Sequence, residues 1–473
     1  MASGPWSLTA EQRAETVSRI RANMASMAFF RNTPMSEETL TEESRKLEAK
    51  AYAAAQVSGT VTTGHRPHEE TLQGYISKLS QLVLETVARA GEGAAAPAAP
   101  SSAAPAASHS LDLTGQREFL TAETARDALA PLLSGSAPIS HVKLSTKSFG
   151  AEAAEVAAEA ILRVAGTLTH ADLADVIAGR PEEEALAALR TMAAALAEAR
   201  LVELDLSDNA LGEKGLRAAA AAFAGQPALE RLAFRNVGCS VHACAALDEL
   251  LAEPAALRAL SLYNNMSGDE GAAHVARLLA RAPRLEEFSM VSSRVGPEGG
   301  AALLQALAPR AAELVALDVH DNPITEEAAP ALVDLVSRAG GLRRLNLTDT
   351  GLGDAATAEN ELEDEGLRIV AGALGALPLL ERLDVSGNQA TREGIFAVVQ
   401  GLAGAKNLAF LGIDENELSD RAIDLIKAGY LCGGSEALAS RGQADVLGSL
   451  DNNMEVSDEE EDLDLDFQRL AIA

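Results

Sequence analysis

Apolar and polar positions recur in one nine-residue figure along this chain. In LVELDLSDN (201–209) the apolar anchors are Leu201, Leu204 and Leu206, and Asn209 closes the figure as L-x-x-L-x-L-x-x-N. It returns at LERLAFRNV (229–237), LRALSLYNN (257–265), LEEFSMVSS (285–293), LVALDVHDN (314–322), LRRLNLTDT (342–350), LERLDVSGN (380–388) and LAFLGIDEN (408–416). Successive first positions are separated by 28, 28, 28, 29, 28, 38 and 28 residues. Neighbouring side chains of a strand face opposite ways, so the leucines enter a core and the residues flanking Leu204 and Leu206 face outward. Each figure then runs through a loop into a helix. GEKG (212–215), GDEG (268–271) and GPEG (296–299) are the clearest such loops, where glycine permits a tight turn.

A strand–loop–helix unit repeated at this period is the signature of leucine-rich repeats. The expected fold class is α/β: a leucine-rich-repeat solenoid, crescent-shaped, with repeats of about 28 residues, preceded by a small all-α domain. Two imperfect repeats, ISHVKLSTKSFG (139–150) and LTHADLADVIAGR (168–180), open the stack ahead of the eight regular ones. The 38-residue step carries extra acidic residues near DAATAENELEDEG (354–366), expected in a surface loop beside the row described below.

The expected domains are residues 1–92, helical; 93–110, a Pro/Ala/Ser linker; 111–434, the repeats with a cap; and 435–473, an acidic tail. In the first, Val17, Ile20, Met24 and Met27 recur at helical spacing, SEETLTEESRKLEAKAYAAAQ (36–56) reads as a charged second helix, and Leu72, Ile76, Leu79, Val83 and Val87 share a third face. Residues 111–133 read as a helical cap with Thr121 and Thr124 as helix starters, since a terminal repeat otherwise exposes its inner face. DEEEDLDLD (458–466) reads either as a solvated block or as an arm for a basic partner.

The formal charge of −30 sits almost entirely outside residues 1–92, which hold ten basic and eleven acidic residues. Such a field repels nucleic acid and favours a basic protein partner. No long apolar run or secretory leader is visible, so neither a transmembrane segment nor export is expected. Cys239, Cys244 and Cys432 fit buried thiols rather than a disulfide framework, and no metal cluster has ligand spacing. Nucleotide-binding, hydrolase and metalloprotease motifs are missing.

Two rows carry the candidate chemistry. The closing asparagines Asn209, Asn265, Asn322, Asn388 and Asn416 read as structural ties between turns. The position before each gives Asp208, Asn236, Asn264, Ser292, Asp321, Asp349, Gly387 and Glu415, a row that is mostly polar and never basic. It is either a display edge for a partner or a set of turn-forming residues.

ADLADVIAGRPEEEALAALRTMAAALAEARLVELDLSDNALGEKG (171–215), LRALSLYNNMSGDEGA (257–272) and TGQREFLTAETA (114–125) resemble the plant and algal Ran GTPase-activating proteins. Residues 1–92 resemble the WPP domain of those proteins through Trp6, ETVSRIRANM and EESRKLEAKAYAAA, although the name-giving Trp-Pro-Pro reads Trp6-Ser7-Leu8. The resemblance implies no chemistry of the chain's own. It implies acceleration of GTP hydrolysis in trans on Ran-GTP, with GTP and Mg²⁺ held by the partner and no cofactor of its own. An asparagine orienting the GTPase's own glutamine would replace an arginine finger; the matching residue is Asn236. Arg180, in IAGRP, matches a family arginine near the bound GTPase and either contacts that partner or anchors its own loop to Glu182–Glu184; from the display row, Asp208, Asn264, Asp321 and Asp349 would be further partner-binding residues. The resemblance also implies Ran-binding proteins as partners, and coiled-coil nuclear-envelope proteins through residues 1–92. Its implied place is the cytoplasm, at the nuclear envelope's outer face. The alternative is a scaffold or inhibitor of the ribonuclease-inhibitor type, built on similar repeats and accelerating nothing.

Overall fold

The computed structural model describes residues 8–9, 13, 16–17, 20–21, 24, 37–59, 86, 109–428 except 136, 211 and 353–363, and 446–453 except 449 and 451. The chain divides into two compact units, Met1–Ala104 and Pro105–Ala473. In the first, helix α1 (Glu37–Gly59) buries Leu40, Ser44, Leu47, Glu48, Ala51 and Ala55 at helical spacing. Ile20 and Met24 are buried too, and Arg13 Nε donates to Glu48 Oε1 at 2.7 Å, which neutralises this buried carboxylate. The expected third helical face lies outside the described residues, as do Trp6 and Ser7.

The second unit is built on an eleven-stranded parallel sheet. Its strands are β1 (His109–Asp112), β3 (Ile139–Lys143), β5 (His170–Asp172), β6 (Glu203–Asp205), β7 (Arg231–Arg235), β8 (Ala259–Tyr263), β9 (Glu287–Val291), β10 (Ala316–Asp318), β11 (Arg344–Asn346), β12 (Arg382–Asp384) and β13 (Phe410–Gly412). Register follows the figure: Leu204 pairs with Leu232, Leu232 with Leu260, Leu260 with Phe288 and Leu317 with Leu345. Leu345 pairs with Leu383 across the 38-residue step, so the insertion leaves the strand register intact. The core lies between the sheet and its helices. Many helical core positions are alanine, such as Ala153, Ala154, Ala157 and Ala160 on Ala151–Val164, which lets neighbouring helices lie close.

A buried row of asparagines ties the stack. Asn209 Oδ1 accepts from Val176 N while Nδ2 donates to Leu173 O and Leu206 O, all at 2.8–2.9 Å. Asn265, Asn322, Asn388 and Asn416 repeat this pattern, each satisfying backbone groups of the preceding turn. Helix starts are also capped from the preceding repeat. Asp269 Oδ1 accepts from Gly296 N and Gly299 N, and Asp364, at the end of the acidic insertion, accepts from Thr391 N and Gly394 N.

Both ends of the stack differ from expectation. The cap is not wholly helical: β1 is the sheet's edge strand, and β2 (Glu118–Leu120) pairs with β4 (Lys147–Phe149) in a second small sheet. Its strands are too short to show an alternating pattern. Thr121 does start the following helix, accepting from Thr124 N in a capping box. At the other end the stack runs past residue 434. Leu447 bridges Leu411, Val446 is buried, and Asn453 Oδ1 accepts from Asn416 N at 2.9 Å, which continues the asparagine ties inside the expected tail. Most of the insertion and the block 458–466 lie outside the described residues.

Candidate functional site

Each regular strand is followed within three residues by one in the left-handed backbone region. These residues are Asp208, Asn236, Asn264, Ser292, Asp321, Asp349, Gly387 and Glu415, with φ between 46° and 67°. Asn, Asp and Gly tolerate this conformation best, which accounts physically for much of the row's composition. Each of the first seven also donates its backbone N–H to the next repeat, as Asn236 N does to Tyr263 O at 2.6 Å and Asp208 N to Arg235 O at 2.8 Å. Backbone turn and ladder together hold these side chains one repeat apart along a single edge.

Side chains within the row also join. Asn236 Nδ2 donates to Asp208 Oδ1 at 3.1 Å, and Asn264 Nδ2 donates to Asn236 Oδ1 at 3.2 Å. Ser292 Oγ donates to Asp321 Oδ2 at 2.6 Å. Asn236, Asn264, Asp321 and Asp349 are exposed, whereas Asp208 is half-buried. Burial pushes the Asp208 carboxyl up to about 6, against the lowering effect of Arg235 and the Asn236 hydrogen bond. Asp349 is exposed as a residue but its carboxyl packs over Gly387, and it is pushed up to about 7, first by desolvation and then by the Glu415 and Asp321 carboxylates. Its Oδ1 leans over Gly387, where a Cβ would collide with it and where φ is +67°, so glycine at this one place in the row has two reasons.

The row is longer than the regular figure suggested. Asp175 has φ 57°, its N–H donates to Ser207 O, and Arg117 Nε donates to its carboxylate at 3.0 Å. Its signal was legible, because Asp175 follows Leu173 by two residues just as Asp208 follows Leu206. Arg117 had none, since its segment looked helical. Beside the row, Arg235 Nη2 donates to Asp205 Oδ2 at 2.7 Å, and the buried His320 Nδ1 lies 2.7 Å from the buried Asp318 Oδ1. Met266, just past the Asn265 tie, is 58% exposed.

Arg180 is tied into the cap. Its Nε donates to Ser148 Oγ at 3.0 Å, and Nη2 donates to Ser148 O at 2.8 Å and Leu120 O at 3.3 Å. Nη1 approaches Glu184 Oε1 at 3.5 Å, and the guanidinium lies 5.1 Å from the centroid of the Phe119 ring. With 16% of its side chain exposed, it braces β2, β4 and a helix start. Phe119 itself is 57% exposed and sits against Gly179. Cys239 and Cys244 are both buried, with sulfurs 3.4 Å apart. They flank the helix cap Ser240 at the positions of a hydrophobic staple, and Cys432 lies outside the described residues. Among the described residues no group of three or more metal-ligating side chains converges, and no helix is long and apolar enough to cross a membrane.

Comparison with known proteins gives this geometry a setting. Residues 5–97 match the family model for the WPP domain, and residues 201–218 that for the Leucine Rich repeat. The chain is 45% identical over 118 residues to RAN GTPase-activating protein 1 of Arabidopsis thaliana, covering 25% of this chain and 22% of that protein. To RAN GTPase-activating protein 2 of the same plant it is 33% identical over 235 residues, covering 48% and 42%. To the Ribonuclease inhibitor of Sus scrofa it is 26% identical over 222 residues, covering 43% and 42%. The matches thus span less than half of each curated relative. They support the resemblance to plant-type Ran GTPase-activating proteins with an amino-terminal WPP domain, here carried on a leucine-rich-repeat fold.

Proposed function

We propose that this chain is a GTPase-activating protein for the small GTPase Ran, acting in trans and holding no nucleotide itself. The observation that carries this reading is the similarity to two Ran GTPase-activating proteins in a chain that joins a WPP domain to leucine-rich repeats. Asn236 is the proposed activating residue. Its amide is exposed on a braced edge, is uncharged, and both donates and accepts, which suits orienting a glutamine and a water on the partner. Asp208, Asn264, Asp321 and Asp349 share that edge and offer acceptors to a basic rim. GTP and Mg²⁺ belong to the partner.

The test is single-turnover GTP hydrolysis by Ran with and without the full chain. A large acceleration is expected; an unchanged rate ends the reading. The likeness to a ribonuclease inhibitor favours a second reading, a binding scaffold without activating power. Tight capture of a basic protein other than Ran, with no acceleration of Ran, would select it. Residues 1–92 are proposed to place the protein at the nuclear envelope through coiled-coil partners. A tagged full chain that loses a perinuclear rim when those residues are removed supports this, and unchanged distribution rejects it.

A further inference from the structure

Asn236 does not hold its amide alone. Asp208 stands one repeat before it and Asn264 one repeat after, and the three side chains form a hydrogen-bonded chain across three consecutive turns. Its sense is not arbitrary. An ionised carboxylate only accepts, so the Asn236 edge facing Asp208 must be its NH₂ group, and the carbonyl then faces Asn264. An amide with two similar neighbours would be free to flip; this one is set by a charge at one end. Asp208 is ionised at neutral pH, since its carboxyl, raised to about 6 by burial, is held down by Arg235. Backbone reinforces the set: all three residues have φ between 49° and 59°, and their N–H groups donate to Arg235 O, Tyr263 O and Val291 O.

We infer that Asp208 and Asn264 are positioning residues that fix the polarity of the Asn236 amide, leaving one N–H and one oxygen lone pair for the partner in a single orientation. Asp208 thus does more than offer a rim acceptor. A misoriented amide would present donor where the partner's glutamine needs acceptor, and docking would survive while the transition state lost its fit. Gln–amide pairing depends on that sense, because each group carries one donor end and one acceptor end. This inference rests on the function proposed above.

The experiment measures single-turnover GTP hydrolysis by Ran at saturating amounts of the full chain, so that binding does not limit the rate. Affinity for Ran and thermal stability are measured alongside. Asp208→Asn removes the acceptor-only partner, and Asn264→Asp removes the donor; each is isosteric and compatible with left-handed backbone. Each is expected to lower the saturated rate about tenfold or more with little change in melting temperature. Asp208→Asn combined with Asn264→Asp restores the charge and the chain of hydrogen bonds, but with the amide reversed. The double variant is expected to stay folded, to bind Ran and to remain slow. A wild-type rate in either single variant, or recovery of that rate in the double variant, overturns the inference. Wild-type protein that fails to accelerate hydrolysis instead overturns the proposed function, and the two failures are told apart by the wild-type control.

Discussion

Asn236 Nδ2 donates to Asp208 Oδ1 across 3.1 Å, one repeat back along the stack, while its own backbone lies at φ 52°. The same residue therefore satisfies a backbone demand and offers a functional group. Glycine meets the first demand and lacks the second, which makes the two separable. Asn236→Ala is expected to be less stable than Asn236→Gly by about 1 kcal/mol, because Ala in the left-handed region is strained. Both should lose the acceleration of Ran hydrolysis equally. Thermal melting and single-turnover rates check this, and an active glycine variant would remove Asn236 from the proposed mechanism.

The adjacent row behaves oppositely. Asn322 is fully buried, accepts from Ser293 N and Val295 N at 3.0 Å each, and donates to Met290 O, Val319 O and His320 O. Asn322→Ala would strand two buried N–H groups and cost about 2–4 kcal/mol. Hydrogen exchange should show the Ser293 and Val295 amides losing protection first. Equal protection in the variant would mean that these amides have another acceptor.

Asp349 carries a pH dependence whose sign follows from its raised carboxyl. Its value in the fold is about 7 against an ordinary 3.8, so the fold prefers the protonated form. That preference is fully present below about 3.8 and is lost as pH rises through about 7, leaving an ionised group that destabilises in alkaline solution. Asp349→Asn should therefore raise the melting temperature at pH near 8, with a gain that shrinks steadily toward acid. A gain independent of pH would assign the effect to packing over Gly387.

Arg180→Ala should act on stability. The guanidinium bonds Ser148 and Leu120 and covers Phe119, so its removal leaves those groups without their common brace. A loss of about 2–3 kcal/mol is expected from the charge-assisted hydrogen bonds, seen as a lower melting temperature. An unchanged melting temperature would free Arg180 for a surface role.

Much of the repeat unit was legible in the residues. Leucine columns at fixed spacing predicted strands whose registers the sheet reproduces, from Leu204 against Leu232 to Leu383 against Leu411. The asparagine ties were legible too, since a polar residue at an inward position must bond backbone. Less regular pieces were not. β2 is three residues long, Asn453 lies beyond the last regular figure, and Arg117 reaches Asp175 across 58 positions of chain. No periodicity marks such contacts.

For the row of Asp208, Asn236 and Asn264, the residue types themselves determined that a polar edge follows every strand. They did not separate a backbone preference from a binding surface, because Asn and Asp serve both. What these side chains touch was decided only by the tertiary structure. Parallel register brings positions 28 residues apart into hydrogen-bond range, and left-handed turns hold their side chains side by side. The sense of each amide depends on its neighbour in space, which is why no stretch of chain could reveal it.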